Sequence, residues 1–217
     1  MKLPRAFYDR PTLDVARDLL GKVLVHTRRG VLTSGVIVEV EAYVGESDPA
    51  CHAAPGPTRR NAPLYGIPGF SYVYLNYGIH CLVNVVTEAD GSPAAVLIRA
   101  LDPLAGVDVM RRRRARTMKG RRTTTRADAI DGHALCRGPG NLTMAMGITL
   151  AENRLDLVGD RLFIEDRGID VGPIARGSRI GIRVGVEQPW RAWIRGHPAV
   201  STQRTRRKMR PRLPRRP

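Results

Sequence analysis

Four carboxylates, a phenol and an imidazole fall within residues 34–52, and these side-chain types can do acid–base chemistry. The alternation of residue types predicts a strand in which Glu39, Glu41 and Tyr43 share one face. A loop rich in Gly, Ser and Pro would then deliver His52 close to the end of that strand. Paired glutamates on a strand are also typical of solvated edge residues, and Glu39 is expected to be of that kind.

A hairpin farther along the chain offers a second set of rings. Residues 71–75 and 79–87 predict two strands joined by an Asn-Tyr-Gly turn, because Asn and Gly tolerate the positive φ of tight turns. Tyr72 and Tyr74 would share a face of this hairpin. Tyr77 at its tip cannot be buried by the hairpin itself, so it is either merely exposed or a wedge between base pairs. Asn84 interrupts an apolar run, which makes it a structural clamp or a reader of a ligand.

Arg99 interrupts the apolar pattern of a third strand, predicted for residues 94–100. Its side chain either forms a structural ion pair with Asp102 or belongs to the candidate site. A carboxylate can deprotonate water and stabilise an oxocarbenium ion, while flat rings suit a flat base, so this set fits cleavage of a glycosidic bond. Cys51-His52 and His80-Cys81 are adjacent pairs rather than the separated pairs of zinc sites, and we expect no metal and no cofactor. Lysines that could form a Schiff base are scarce.

The elements that would position these residues are mostly strands in hairpins, with few helices between them. This pattern predicts an α+β fold with a single compact domain over residues 1–200, built on a curved, mainly antiparallel sheet with flanking helices and a protruding hairpin. We expect a helix capped by Asp102 with Pro103 at its first position, and another opening within residues 136–142. Residues 179–186 alternate and predict a further strand. A mobile loop should follow the helix within the basic run 111–126.

The chain has 217 residues and a formal net charge of +16 at pH 7, which favours a polyanionic partner such as nucleic acid. Three widely spaced cysteines argue against a disulfide framework and favour a reducing compartment. No apolar run approaches the length of a membrane span, so we expect a cytoplasmic protein without membrane contact. Residues 201–217 are basic, carry almost no apolar side chains, and predict a disordered tail.

Five segments in order resemble the alkyladenine (3-methyladenine) DNA glycosylase family. They are 39–45 (EVEAYVG), 72–84 (YVYLNYGIHCLVN), 97–104 (LIRALDPL), 136–142 (CRGPGNL) and 183–186 (RVGV). The likeness runs from about residue 3 to residue 201. It implies a monofunctional base-excision enzyme that flips damaged purines out of duplex DNA and hydrolyses their N-glycosidic bond, leaving an abasic site. The lesions implied are 3-methyladenine, 7-methylguanine, ethenoadenine and hypoxanthine.

The resemblance also implies a role for each matching residue. Glu41 would be the general base, Arg99 would hold the water or a phosphate, and the carbonyl of Val184 would touch that water. The base pocket would consist of Tyr43, His52, Tyr74 and Asn84, with Tyr77 filling the gap left in the base stack. We expect the protein to act as a monomer on double-stranded DNA containing damaged purines, bound to the bacterial nucleoid through that DNA. A basic nucleic-acid-binding protein without catalysis is the alternative.

Overall fold

A computed structural model of the chain describes residues 1–118 and 130–201. The α-helices in these ranges are α1 (Arg5–Tyr8), α2 (Thr12–Asp18), α3 (Val107–Met118) and α4 (Pro139–Met146). The strands are β1 (Val23–Arg28), β2 (Val31–Val44), β3 (Ser71–Asn76), β4 (His80–Val86), β5 (Ala94–Ala105), β6 (Leu162–Glu165), β7 (Ile174–Gly177) and β8 (Arg191–Ile194). The predicted loop after α3 and the predicted tail fall almost entirely on residues outside the described ranges.

All the strands of the described residues join one antiparallel sheet, with β2 at its centre. The main path runs β3-β4-β5-β2-β1-β6. β5 pairs along most of one edge of β2, while β1 takes the first half of the other edge and β8 the second half. The predicted α+β class with a mainly antiparallel sheet is confirmed.

The main apolar core lies between the sheet and the helices α2, α3 and α4. Fully buried members such as Leu19, Ile98, Met110 and Leu142 come from both layers. Helix α4 begins with Pro139 at its first position and ends at Gly147, whose φ of 74° is the left-handed conformation that terminates helices. The helix therefore starts close to the predicted position.

A β-bulge in β2 breaks the alternation that the sequence predicts. The register of β2 against β5 shifts between Ile37 and Glu39 and again between Glu39 and Val40. As a result, Ile37 and Val40 pack in the same core cluster, although strict alternation puts them on opposite faces. Val38 packs instead in a second cluster, on the other side of the sheet.

Two predicted elements are wrong. Asp102 and Pro103 lie inside β5, and the helix begins only at Val107, because β5 stays paired with β2 as far as Ala105. Residues 179–186 form turns and bends rather than a strand, since the edge of β2 that they approach is already occupied by β8. The predicted pair of Arg99 with Asp102 is also wrong, because Arg99 contacts Glu39 and Glu41.

Candidate active site

A cavity of about 350 Å³ opens where the C-terminal half of β2, the hairpin β3–β4 and β5 meet. This volume lies in the range of sites for small molecules or single bases. Its wall brings together predicted residues that lie far apart in the sequence: Tyr43, His52, Tyr74, Tyr77, Asn84 and Arg99. The sheet order explains this meeting, since β4 pairs with β5 and β5 pairs with β2.

Glu41 lies fully buried directly behind this wall. Its Oε1 accepts hydrogen bonds from the backbone N–H of Ile180 at 2.6 Å and lies 3.1 Å from Nη1 of Arg99. Its Oε2 accepts one from the hydroxyl of Tyr43 at 2.9 Å. All three partners line the cavity, while Glu41 itself does not. A carboxylate has about four lone-pair positions, so Oε2 keeps capacity for one more donor.

The groups that contact Glu41 are a cation and two hydrogen-bond donors. Burial and the neighbouring Glu41 carboxylate raise the pKa of Tyr43 above its ordinary value, so this phenol stays protonated and donates. Burial works against the charge of Arg99, but the carboxylates of Glu41 and Glu39 outweigh it and raise its pKa. Glu41 therefore faces a permanent cation, a hydroxyl donor and a peptide N–H donor.

His52 lies on the cavity wall with its Nδ1 2.9 Å from the hydroxyl of Tyr72. Burial, and then the charge of Arg60, lower the pKa of His52 below its usual value, so the imidazole is neutral at pH 7. A neutral ring has one N–H donor and one acceptor nitrogen. It can therefore bond the edge of a base without adding charge to the cavity.

Aromatic rings form one side of the cavity. Tyr72 and Tyr74 share a face of the hairpin, as predicted, with their centroids 5.3 Å apart, and His52 lies edge-on to Tyr74 at 4.5 Å. Asn84 is buried and its Nδ2 donates to the carbonyl of Tyr72 at 3.0 Å, which is the predicted clamp. Its predicted role as a reader of the base stays a prediction.

Tyr77 occupies the tip of the hairpin and is 84% exposed. Its φ of 49° and the φ of 68° at Gly78 are both positive, as type I′ hairpin turns require. A bulky residue in this region is strained, and such strain persists mainly at functional positions. The strained position holds the ring at the rim of the cavity rather than in the core.

A sequence model described as Methylpurine-DNA glycosylase (MPG) matches residues 6–198. The chain belongs to the methylpurine-DNA glycosylase family. It is therefore a DNA glycosylase, a hydrolase of DNA repair that acts on DNA.

Individual relatives agree with this assignment. A protein of Methanocella arvoryzae is 46% identical over 203 residues, covering 92% of this chain and 95% of its own. A protein of Bradyrhizobium diazoefficiens is 47% identical over 199 residues, covering 92% of this chain and 90% of its own. A protein of Burkholderia lata is 44% identical over 208 residues, covering 94% of this chain and 93% of its own. Each carries the name "Putative 3-methyladenine DNA glycosylase".

One residue expected at the site of this methylpurine-DNA glycosylase does not line the cavity. Val184 is half-exposed and is not part of the cavity wall. The same segment instead contributes residues 180–182 to the wall, and the N–H of Ile180 bonds Glu41. Residues 179–186 repeat one pattern, RIGI followed by RVGV. This repeat is the sequence signal that could have pointed to residues 179–182 as well as to 183–186.

A buried ion pair that the sequence did not predict backs Tyr43 in this glycosylase, and this pair of Arg179 with Asp48 is called the clamp below. Arg179 is fully buried and forms a bidentate ion pair with Asp48. Its Nη1 donates to Oδ2 at 2.5 Å and its Nη2 donates to Oδ1 at 2.8 Å. Its guanidinium also lies 4.7 Å from the ring centroid of Tyr43 and 5.1 Å from that of Trp190. The clamp joins the loop after β2 to residues 178–190, and thereby fixes the phenol that donates to Glu41.

The described part of the glycosylase shows neither a candidate metal site nor a helix suited to a membrane. Neither residues 1–118 nor 130–201 contain a group of three or more His, Cys, Asp or Glu side chains suited to a metal ion. Over the same ranges, none of the helices has the length and apolar character needed to cross a bilayer.

Proposed function

We propose that this DNA glycosylase flips alkylated or deaminated purines out of duplex DNA and hydrolyses their N-glycosidic bond with a water activated by Glu41. The proposed lesions are 3-methyladenine, 7-methylguanine, ethenoadenine and hypoxanthine. The product is an abasic site in an unbroken strand.

One observation carries the proposal: Glu41 is buried, contacts a cation and two hydrogen-bond donors, and is separated from the cavity only by these groups. The hydroxyl of Tyr43 and the guanidinium of Arg99 bound both the cavity and the carboxylate. A water at this boundary can donate to the unused position on Oε2 and attack the anomeric carbon of a nucleotide in the cavity. Arg99 would hold that water or the adjacent phosphate, and the carbonyl of Val184 stays a predicted contact of the water.

The flipped base would lie between Tyr43 and the pair His52 and Tyr74, with Asn84 against its 2-position. Extruding a base costs a few kcal/mol of pairing and stacking, least for damaged pairs. Insertion of Tyr77 into the vacated stack would offset that cost. The exposed and strained position of Tyr77 supports this role.

Hydrolysis by water rather than by an amine is supported by the position of the lysines. A lyase step requires an amine that attacks the sugar to form a Schiff base. Lys22 is bound to Asp166 at 2.6 Å and Lys2 to Asp160, and no lysine lines the cavity in the described parts of the chain. Lys119 and Lys208 lie outside those parts. We therefore propose a monofunctional enzyme. That it acts as a monomer stays a prediction.

The Glu41→Gln variant tests the mechanism. The amide cannot accept a proton from water, so single-turnover excision of ethenoadenine or hypoxanthine from a duplex should fall by about two to four decades. Binding to the lesion should persist, since the amide keeps the size of the carboxylate. Released base and the intact abasic strand are measured by chromatography and by alkaline cleavage.

Glu187→Gln is the matched control, because Glu187 is exposed and its change removes the same charge away from the cavity. Excision by this control should match that of the parent chain. Near-complete excision by Glu41→Gln would remove Glu41 from the mechanism. A nicked strand without alkali would contradict hydrolysis by water alone.

Cationic lesions should leave faster than neutral ones. An N-alkylated purine such as 7-methylguanine already carries the positive charge that makes it a good leaving group, and tyrosine faces favour a cation. Hypoxanthine must gain a proton as it leaves. Single-turnover rates on duplexes that differ only in the lesion measure the difference, and equal rates would contradict the expectation.

The non-catalytic alternative rests on the basic run 111–126 and the basic tail. It predicts tight DNA binding without release of any base by the parent chain. The same assay therefore separates it from the proposed glycosylase.

A further inference from the structure

A second buried glutamate lies behind the candidate general base. Glu39 is fully buried, so the prediction of a solvated edge residue is wrong. Its Oε1 accepts from Nε of Arg191 at 2.7 Å, from Nε of Arg99 at 3.1 Å and from the hydroxyl of Ser201 at 2.9 Å. Its Oε2 accepts from the backbone N–H of Ser201 at 2.7 Å. The four donors satisfy the hydrogen-bonding capacity of this buried carboxylate, so Glu39 is part of the interior structure.

Arg99 is shared between the two glutamates. Its Nε serves Glu39, its Nη1 lies 3.1 Å from Oε1 of Glu41, and its Nη2 donates to the hydroxyl of Ser201 at 3.2 Å. If one guanidinium belonged to Glu41 alone, a closed ion pair would weaken that carboxylate as a base. The bonds to Glu39 and Ser201 instead hold Arg99 across both carboxylates.

The charges of this cluster balance. Glu39 and Glu41 contribute two negative charges, and Arg99 and Arg191 contribute two positive charges. Arg191 lies on β8 opposite Glu41 in the pairing of the two strands, but its guanidinium reaches Glu39 and neutralises that second carboxylate.

The remaining charged or titratable groups near Glu41 come from its own strand, from β3 and from the clamp. Burial raises the pKa of Tyr74 on β3, so this phenol stays protonated and adds no charge. Tyr43 of β2 is protonated and donates to it. Arg179 is paired with Asp48, so this pair adds no net charge. The balance around Glu41 is therefore decided by Glu39, Arg99 and Arg191.

We propose that Glu39 and Arg191 are positioning residues that divide the charge of Arg99, so that Glu41 remains free to accept a proton from water. This inference rests on the proposed role of Glu41 as general base. It also gives a function to the buried end of the described chain, because Ser201 fixes both Glu39 and Arg99. From the sequence alone, Ser201 is the first residue of the predicted tail.

Opposite charge changes should move the pH dependence of excision in opposite directions. Glu39→Gln leaves the cluster with one extra positive charge, which favours ionised Glu41. The acid limb of the pH profile, in which the excision rate falls as the pH drops, should therefore move to lower pH by about one unit. The maximal rate should fall as well, because Arg99 then pairs more closely with Glu41. Arg191→Gln leaves one extra negative charge, and its acid limb should move to higher pH by about one unit.

Single-turnover excision of 7-methylguanine from a duplex, measured across pH, is the readout. This lesion already carries its charge, so its acid limb reports the base rather than protonation of the leaving group. Arg191→Lys keeps the charge and should leave the limb in place, as should Ser201→Ala, which removes hydrogen bonds without changing charge. The double variant Glu39→Gln with Arg191→Gln restores neutrality and should return the limb towards that of the parent chain.

Structural damage alone lowers the rate without moving the limb in opposite directions. Should Glu39→Gln fail to fold, the comparison of Arg191→Gln with Arg191→Lys still decides the question. Limbs that coincide, or that move the same way, would overturn the inference. If Glu41→Gln is inactive while the limbs coincide, only this inference fails, whereas an active Glu41→Gln variant removes the proposed mechanism itself.

Discussion

At the scale of the residue, burial decides the charge of two histidines. His26 is fully buried with its Nδ1 2.9 Å from the carbonyl of Met146, and His52 lies on the wall of the cavity. Loss of hydration is the main cause that lowers the pKa of each below its ordinary value. Both are therefore neutral in the folded protein at pH 7, while in the unfolded chain they titrate near pH 6.5.

We expect the free energy of unfolding to fall as the pH drops below about 6.5. In that window the unfolded chain takes up protons that the folded chain refuses, so acid favours unfolding until the lower folded pKa values are reached. The melting temperature followed by circular dichroism between neutral and mildly acid pH measures this loss. His26→Asn keeps a donor for the carbonyl of Met146 and should flatten the dependence. A melting temperature that does not change over this window would contradict the expectation.

At the scale of the element, the hairpin β3–β4 and the bulged strand β2 carry the site. The bulge lets Val38 and the buried Glu39 both lie away from the main core, so β2 presents a charged cluster and the phenol of Tyr43 on one side. The hairpin places Tyr77 at a turn that Asn-Gly would form with less strain. Tyr77 therefore makes this turn less stable than Asn would, and places an exposed ring at the tip of the hairpin.

Tyr77→Asn should stabilise the fold and weaken the enzyme. The left-handed conformation costs a bulky residue about 1 kcal/mol, and asparagine adopts it readily, so the melting temperature should rise. Excision from duplex DNA should fall by at least about tenfold, since the extruded base is no longer replaced in the stack. Tyr77→Phe is the control, because it keeps the ring and should keep most of the rate. A Tyr77→Asn variant with undiminished duplex excision would exclude the wedge.

At the scale of the whole molecule, 36 Lys and Arg against 20 Asp and Glu give a strong positive field. Much of the acidic complement within the described ranges is already paired, as in Arg179 with Asp48 and Arg161 with Glu152. The net positive charge of the chain attracts phosphates. DNA binding should therefore be driven largely by the release of counterions.

Salt should weaken binding steeply, by about 0.9 log units in affinity for each phosphate contact per tenfold rise in salt. If the basic residues after Ser201 contact phosphates, deletion of residues 202–217 should flatten that slope without abolishing excision at low salt. Binding of a fluorescent duplex over a salt series measures both slopes. An unchanged slope would show that these residues make no phosphate contact.

Local patterns determined much of this protein. The turn at Tyr77-Gly78, the start of α4 at Pro139 and the strand bearing Glu41 depend on residues close in sequence, and each was predicted. Loss of alternation at the bulge was not, since a bulge depends on the partner strand. Residues 174–177, which form β7, were missed for the same reason, because this short strand depends on its pairing with β8.

The environment of the two glutamates was decided by tertiary structure alone. The N–H that bonds Glu41 lies 139 residues away, and the Ser201 groups that bond Glu39 lie 162 residues away. Residue types and spacing along the chain show that a carboxylate is present, but they do not show whether it meets water, one cation or two. That depends on which strand pairs beside β2, because pairing sets the distances between charges, and electrostatic energy in a buried site depends on those distances.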